Sequence, residues 1–121
     1  MSTTEPGATT GRQLAHPPVE EIRLEAVLHA LSDPVRLSIV RDLADGHADM
    51  ACVAFDLPVS KSTTTHHFKV LREAGVIRQH YEGTSRMSRL READLKARFP
   101  GLLTAVLEGA RRSAPSPAPS A

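Results

Sequence analysis

The sequence is short of aromatic residues, cysteine and long apolar runs, and each scarcity excludes a class of protein. Tryptophan is absent and the aromatic side chains are one Tyr and three Phe, too few to bind single-stranded nucleic acid by stacking bases on rings. Cys52 is the only cysteine, so no disulfide can form within the chain, and a reducing cytoplasm is the expected location. The apolar runs are only a few residues long and the N-terminus lacks a signal-peptide pattern, so we expect no membrane association.

Length and composition predict one folded domain between two tails. Hydrophobic residues make up 40% and charged residues 24% of the 121 residues, which is typical of a globular protein. Residues 1–18 are rich in Ser, Thr, Gly and Pro, and residues 113–121 form a Ser/Ala/Pro string, so both are predicted to be disordered. The domain between them, residues 19–112, can bury only a modest core, and pairing with a second copy would stabilise it.

Charge is divided unevenly along the chain, although the formal net charge is only +1. Residues 20–59 carry three arginines against eight carboxylates, whereas residues 60–91 carry seven basic side chains against two acidic ones. A small protein with an acidic half and a basic half is expected to turn the basic half towards a polyanion. A dipole that arose by chance is the alternative that charge alone leaves open.

Hydrophobic periodicity and capping residues predict a mainly α-helical domain with one β-hairpin. Ser60 is placed to cap the start of a helix, and Gly46 and Gly75 are placed to end two helices. Residues 76–81 and 85–90 read as two strands joined by a glycine-containing turn. The five predicted helical segments are residues 19–31, 34–46, 48–55, 61–74 and 92–111, the last broken near residues 99–101.

These elements follow one another in the order of a helix-turn-helix with a wing. The fourth predicted helix has an inner face formed by Thr64, Phe68 and Leu71 and a polar outer face near its N-terminus, the part of a recognition helix that enters the major groove. We expect base contacts from that outer face and phosphate contacts from the helix start and its basic residues. For the wing, we expect contacts with the minor groove or with phosphate. The candidate DNA-binding residues are Ser60, Lys61, Ser62, Thr63, Thr65, His66, Lys69, Arg72, Thr84, Ser85 and Arg86.

Residues 30–37 (ALSDPVRL) and 60–77 (SKSTTTHHFKVLREAGVI) resemble the ArsR-type (ArsR/SmtB-like) winged-helix transcriptional regulators, and the resemblance covers about residues 20–107. It implies a homodimeric repressor that binds a pseudo-palindromic operator of double-stranded DNA. It also implies dimerisation through the first and last helices, which agrees with the wide apolar stripe on the last predicted helix. The candidate dimer-interface residues are Leu24, Leu28, Leu95, Phe99, Leu102, Leu103, Val106 and Leu107.

The effector is unknown, because the usual metal-binding patterns of the family are incomplete here. Many relatives bind metals through a Cys-x-Cys pair in the third helix, but this chain has Cys52-Val53-Ala54. Others use Asp and His on the last helix, and no histidine occurs between Glu92 and Arg112. We therefore expect no metal and no cofactor. A site built from His47, Asp49 and Cys52, a redox switch at Cys52 and an ordinary packed cysteine stay open as alternatives.

Two other functional classes compete with a DNA-binding regulator. An enzyme is not expected, because the sequence contains no glycine-rich phosphate loop, nucleophile elbow or paired-carboxylate signature. The second class is a winged-helix module that binds protein instead of DNA. A redox-responsive repressor using Cys52 is the alternative among DNA-binding regulators. The basic charge of residues 60–91 argues against the protein-binding module.

Overall fold

The computed structural model describes residues 14–46, 50–51 and 58–113, in which helices pack against a small antiparallel sheet. A short 3-10 helix, Val19–Glu21, comes before the first α-helix. The elements that follow are α1 (Leu24–Ala30), α2 (Pro34–Gly46), β1 (Met50–Ala51), α3 (Lys61–Glu73), β2 (Ile77–Glu82), β3 (Ser85–Leu90), α4 (Glu92–Arg98) and α5 (Leu102–Ser113). The predicted mainly α-helical fold with a hairpin is confirmed.

Helices α2 and α3 begin at side-chain caps. Oδ2 of Asp33 accepts two backbone N–H groups of the first turn of α2, at 2.9 and 3.0 Å. Pro34 occupies the first helical position, where no N–H donor is needed. Oγ of Ser60 accepts the N–H of Thr63 at 3.2 Å and caps α3 in the same way. The predicted starts of both helices are confirmed.

Gly75 ends α3 and turns the chain into the sheet. Its φ of +86° lies in the left-handed region, which side chains other than glycine rarely adopt. A Cβ at this position would meet Cγ1 of Ile22 at 2.7 Å, because the backbone passes directly over that buried side chain. Only glycine therefore fits the turn without displacing the core.

The three strands are antiparallel and lie in the order β1-β3-β2. Strands β2 and β3 form the wing, in which Ile77 pairs with Leu90 at the base and Glu82 pairs with Ser85 at the tip. Gly83, with a φ of +63°, makes the turn at the tip. The predicted hairpin is confirmed, with the first strand shifted by one residue.

The helix predicted over residues 48–55 is wrong at Met50 and Ala51, which form β1. Met50 pairs with Ser88 and Ala51 with Met87 on β3. A strand of two residues has no alternating pattern to detect, and its partner lies far along the sequence, so local periodicity favours helix here. The other residues of that predicted helix, including Cys52, lie outside the described residues.

The first predicted helix is shorter than expected, because the chain is extended at Ile22 and Arg23. Ile22 is 1% exposed, and its carbonyl accepts hydrogen bonds from the guanidinium of Arg98 on α4. A helical Ile22 would turn this carbonyl along the helix axis instead. The packing of α4 therefore interrupts a segment whose local sequence favours a continuous helix.

Residues 14–18, part of the predicted N-terminal tail, lie against the wing. The backbone N–H of Gln79 on β2 donates to Nε2 of His16 at 2.9 Å. Nη1 of Arg91 donates to the carbonyl oxygen of Pro17 at 2.8 Å. The segment thus contacts the edge of β2 at Gln79, where the sheet has no further strand.

The core lies between the helices and the inner face of the sheet. Its largest fully buried side chains include Phe68 and Leu71 of α3, Ile39 and Leu43 of α2, and Ile77 of β2. Because α3 has its apolar side in this core, its other side must face outwards. Within the described segments, no helix combines the length and apolar content needed to cross a bilayer.

Candidate nucleic-acid interface

The N-terminal part of α3 presents a row of polar side chains to solvent. The outer face of α3 consists of five exposed residues, namely Ser62, Thr63, Thr65, His66 and Lys69. On the opposite side, Phe68 and Leu71 are 1% and 0% exposed. Because Phe68 and Leu71 anchor α3 in the core, the outer face points away from the core and is accessible to a ligand as large as a DNA duplex.

The hydroxyl groups at the start of α3 are already oriented by the protein. Oγ of Ser60 donates to Oγ1 of Thr63 at 2.9 Å, which leaves the Thr63 hydroxyl proton available as a donor. Oγ1 of Thr65 donates to the carbonyl of Lys61 at 3.1 Å, which leaves its lone pairs available as acceptors. The pair can therefore offer one donor and one acceptor to base edges.

Arg72 does not extend outwards with the outer face of α3. Its Nη1 donates to Oε1 of Gln79 on β2 at 2.9 Å. Its Nε is buried and has no hydrogen-bond partner among the described residues. The guanidinium of Arg72 is thus hydrogen-bonded to the wing, and the expected phosphate contact from Arg72 stays a prediction.

The tip of the wing is exposed, and its arginine is held by an aromatic ring. Thr84 and Ser85 are exposed beside Gly83. Arg86 is half-buried, with its guanidinium carbon 5.0 Å from the ring centroid of Tyr81. The same guanidinium donates to the Tyr81 hydroxyl. Because Tyr81 restricts its rotamers, Arg86 can meet a phosphate or a narrow groove with less loss of side-chain entropy.

A buried arginine lies directly behind the outer face of α3. Arg36 on α2 is 8% exposed and contacts His67, the residue that follows His66 on α3. Asp33 lies close by at the start of α2. Burial alone would raise the pKa of Asp33, but the hydrogen bonds from backbone N–H groups, Arg36 first, hold that pKa below its ordinary value.

Sequence reasoning did not assign a role to Arg36, Gln79 or Tyr81. Gln79 gave a signal that could have been used, because it occupies an inward position in the alternating pattern of β2, between Ile77 and Tyr81. A polar side chain at such a position needs a buried partner. The partners of Arg36 and Tyr81 lie on other elements and become visible only in the fold.

Comparison with known proteins gives the family. Residues 33–79, which span α2, α3 and the start of β2, match the model of the bacterial regulatory proteins of the arsR family. The uncharacterised HTH-type transcriptional regulator YceK of Bacillus subtilis (strain 168) is 34% identical over 86 residues, which cover 69% of this chain and 85% of YceK. The chain belongs to the ArsR family. It is therefore a transcriptional regulator of the helix-turn-helix, DNA-binding type.

Two further relatives of this ArsR-family chain are informative. A solved structure, the ArsR-like transcriptional regulator from Rhodococcus sp. RHA1, has 31% sequence identity and a TM-score of 0.54, and the match covers 75% of this chain and 86% of that one. The transcriptional repressor SdpR of Bacillus subtilis (strain 168) is 35% identical over 57 residues, which cover 47% of this chain and 63% of SdpR. The predicted winged-helix fold is confirmed by the structural match.

The expected dimer-interface residues of this ArsR-family chain fall into two groups. Leu95 and Leu107 are 2% and 7% exposed, so they belong to the core of the single chain and offer no surface to a partner. Leu24 and Leu28 on α1 are 43% and 44% exposed, which is unusual for large apolar side chains. The others are half-buried at the edge of the core: Phe99, Leu102, Leu103 and Val106.

In the segments at 14–46, 50–51 and 58–113, no three His, Cys, Asp or Glu side chains come together as a group able to hold a metal ion. On α4, Asp94 accepts a hydrogen bond from Arg91 at 2.9 Å, so its carboxylate is already neutralised. The position of the family's cysteine pair, at Cys52, lies outside the described residues.

Proposed function

We propose that this ArsR-family regulator is a homodimeric repressor that binds a pseudo-palindromic operator in double-stranded DNA. The observation that carries the proposal is the outer face of α3, a row of exposed Ser, Thr, His and Lys side chains beside a wing tip that presents Arg86. The similarity to SdpR, a transcriptional repressor, supports a repressing role.

The candidate contacts divide by chemistry. Base edges in the major groove are assigned to the hydroxyl and imidazole side chains of the outer face of α3: Ser62, Thr63, Thr65 and His66. Phosphates are assigned to Ser60, Lys61 and Lys69, because lysines and an exposed helix start attract anions without reading sequence. The wing residues Thr84, Ser85 and Arg86 are assigned to the flanking phosphates or minor groove.

The homodimer is supported by the exposed apolar side chains of α1. Leu24 and Leu28 lie one helical turn apart and are both more than 40% exposed, so a partner surface would remove them from water. A twofold dimer would present two copies of α3 to the same side of DNA. Their separation would have to match one helical turn, about 34 Å, for two half-sites to be read together.

No metal or cofactor is assigned to the proposed repressor, because the last helices from Glu92 to Arg112 contain no histidine and Cys52 has no second cysteine. We place its action in the cytoplasm, where a reduced cysteine is stable. One equivalent of Zn²⁺ is expected to leave its DNA affinity unchanged. A large loss of affinity on addition of Zn²⁺ would contradict this assignment.

The test begins with an operator identified by genome-wide footprinting of the full chain. Binding to this duplex and to a scrambled duplex is then measured by fluorescence anisotropy over a range of salt concentrations. His66→Ala is expected to lose about 1–3 kcal/mol on the operator and little on the scrambled duplex. Lys61→Ala is expected to weaken both duplexes alike and to lower the salt slope by about one.

Lys96→Ala is the matched control, because Lys96 is also an exposed lysine and lies on α4. It is expected to bind both duplexes like the parent. If the parent binds DNA with no dependence on salt, or if His66→Ala retains the full preference for the operator, the proposed interface is wrong. Repression is checked by in vitro transcription from a promoter that contains the operator.

A further inference from the structure

The inner face of the wing changes from apolar to polar along its length. Three cross-strand pairs lie on this face, in order from base to tip: Ile77 with Leu90, Gln79 with Ser88, and Tyr81 with Arg86. The first pair belongs to the core, and the last pair holds the arginine that we assign to DNA. The middle pair, Gln79 and Ser88, is polar although both residues are 0% exposed.

A buried amide is costly unless its hydrogen bonds are satisfied. Nε2 of Gln79 donates to Oγ of Ser88 at 3.0 Å, across the two strands of the wing. Oε1 of Gln79 accepts from Nη1 of Arg72 on α3 at 2.9 Å. One side chain therefore connects the second strand of the wing, through the first, to the recognition helix α3.

Hydrogen bonds constrain orientation, whereas apolar contacts between α3 and the wing permit sliding and rotation. Arg72 is the last basic residue of α3, close to the turn at Gly75 where the helix meets β2. The bond from Arg72 to Gln79 joins the two elements across this turn. It therefore limits the angle between α3 and the wing.

We propose that Arg72 and Gln79 are positioning residues that fix the angle between α3 and the wing, so that the outer face of α3 and Arg86 contact the same duplex together. The inference rests on the proposed function, since it assumes that both elements touch DNA. It assigns Arg72 a role inside the protein in place of a phosphate contact.

The experiment measures operator binding by fluorescence anisotropy for Arg72→Met, Gln79→Met and the double variant. Gln79→Met keeps the length and volume of the side chain and removes both hydrogen bonds. Each single variant is expected to weaken operator binding roughly tenfold, and the double variant no more than either single one, because the two residues act through the same bond. Gln79→Glu, which keeps an acceptor for Arg72, is expected to restore binding to within about threefold.

A second comparison tests the coupling to the wing. Arg86→Ala is expected to weaken operator binding less in the Gln79→Met background than in the parent, because a wing at the wrong angle contacts DNA less. A role in folding alone would not change the effect of Arg86→Ala once both proteins are shown to be folded by circular dichroism. If Gln79→Met does not fold, the same comparison is made with Arg72→Met, whose side chain is only half-buried.

Two outcomes would overturn the inference, and they differ from a failure of the proposed function. Additive losses from Arg72→Met and Gln79→Met, equal on operator and scrambled duplexes, would make Arg72 a phosphate contact. Unchanged operator binding by Gln79→Met, with the expected loss for Lys61→Ala, would refute only the positioning role. If Lys61→Ala and His66→Ala also bind like the parent, the proposed interface itself fails.

Discussion

Nη1 of Arg36 lies 3.2 Å from Nδ1 of His67 and joins α2 to the recognition helix α3. A guanidinium has only donors, so Nδ1 of His67 is the acceptor in this contact. Nε of Arg36 donates to the carbonyl oxygen of Ala30 at 2.7 Å, and Nη2 donates to that of His29 at 3.3 Å. One buried side chain thus connects the end of α1, the start of α2 and the middle of α3.

Arg36→Met is expected to destabilise the fold by about 3 kcal/mol, because it leaves the buried carbonyl of Ala30 and a ring nitrogen of His67 without the Arg36 donor. The free energy of unfolding in urea at pH 7 measures the loss. Arg23→Met is the matched control, since the Arg23 side chain is 74% exposed, and it is expected to change stability by less than about 0.5 kcal/mol. Equal losses for the two variants would contradict a structural role for Arg36.

Gly75 and Gly83 provide a comparison between two glycines of positive φ. Substitution by alanine places a side chain in the left-handed region at either position, at a cost of about 1–2 kcal/mol. Only at Gly75 would the new Cβ also meet Ile22, at 2.7 Å, whereas nothing lies within 4 Å at Gly83. Gly75→Ala is therefore expected to cost about 1–3 kcal/mol more than Gly83→Ala in urea unfolding. Similar losses in the free energy of unfolding for the two variants would show that the Ile22 side chain can move to accommodate the new Cβ.

His16 is expected to make the docking of residues 14–18 sensitive to acid. Burial, and then the charges of Arg78, Arg91 and Arg72, lower the pKa of His16 from 6.5 to about 4. Between pH 6.5 and about 4, the unfolded chain therefore binds the proton more readily than the folded chain, so stability falls as the pH falls through this window. Above pH 6.5, His16 does not make the free energy of unfolding depend on pH.

The comparison uses His16→Gln, whose amide oxygen can accept the Gln79 N–H and does not titrate. Free energies of unfolding in urea at pH 7 and pH 4.5 are expected to differ more for the parent than for His16→Gln. Acid effects at Asp33 and other carboxylates are common to both proteins and cancel in the comparison. An identical pH dependence would mean that His16 is not held against β2 in solution.

Local signals predicted the parts of the fold that local chemistry decides. The start of α2 at Pro34, the cap at Ser60 and the turn at Gly75 each depend on one residue and its immediate neighbours. The direction of Arg72 could not be predicted in this way, because helical spacing does not contain the position of Gln79 on β2. The docking of His16 could not be predicted for the same reason, since its partner Gln79 lies 63 residues away in the sequence.

The dimer leads to a prediction that separates assembly from folding. Leu28 is 44% exposed in the single chain, so Leu28→Glu is expected to leave the fold intact while placing two carboxylates in the proposed dimer interface. Light scattering at micromolar concentration is expected to give a dimer for the parent and a monomer for Leu28→Glu. Thr104→Glu, an exposed position on α5 away from Leu103 and Val106, is expected to remain dimeric. A monomeric parent would refute the homodimer, and a dimeric Leu28→Glu would move the interface away from this part of α1.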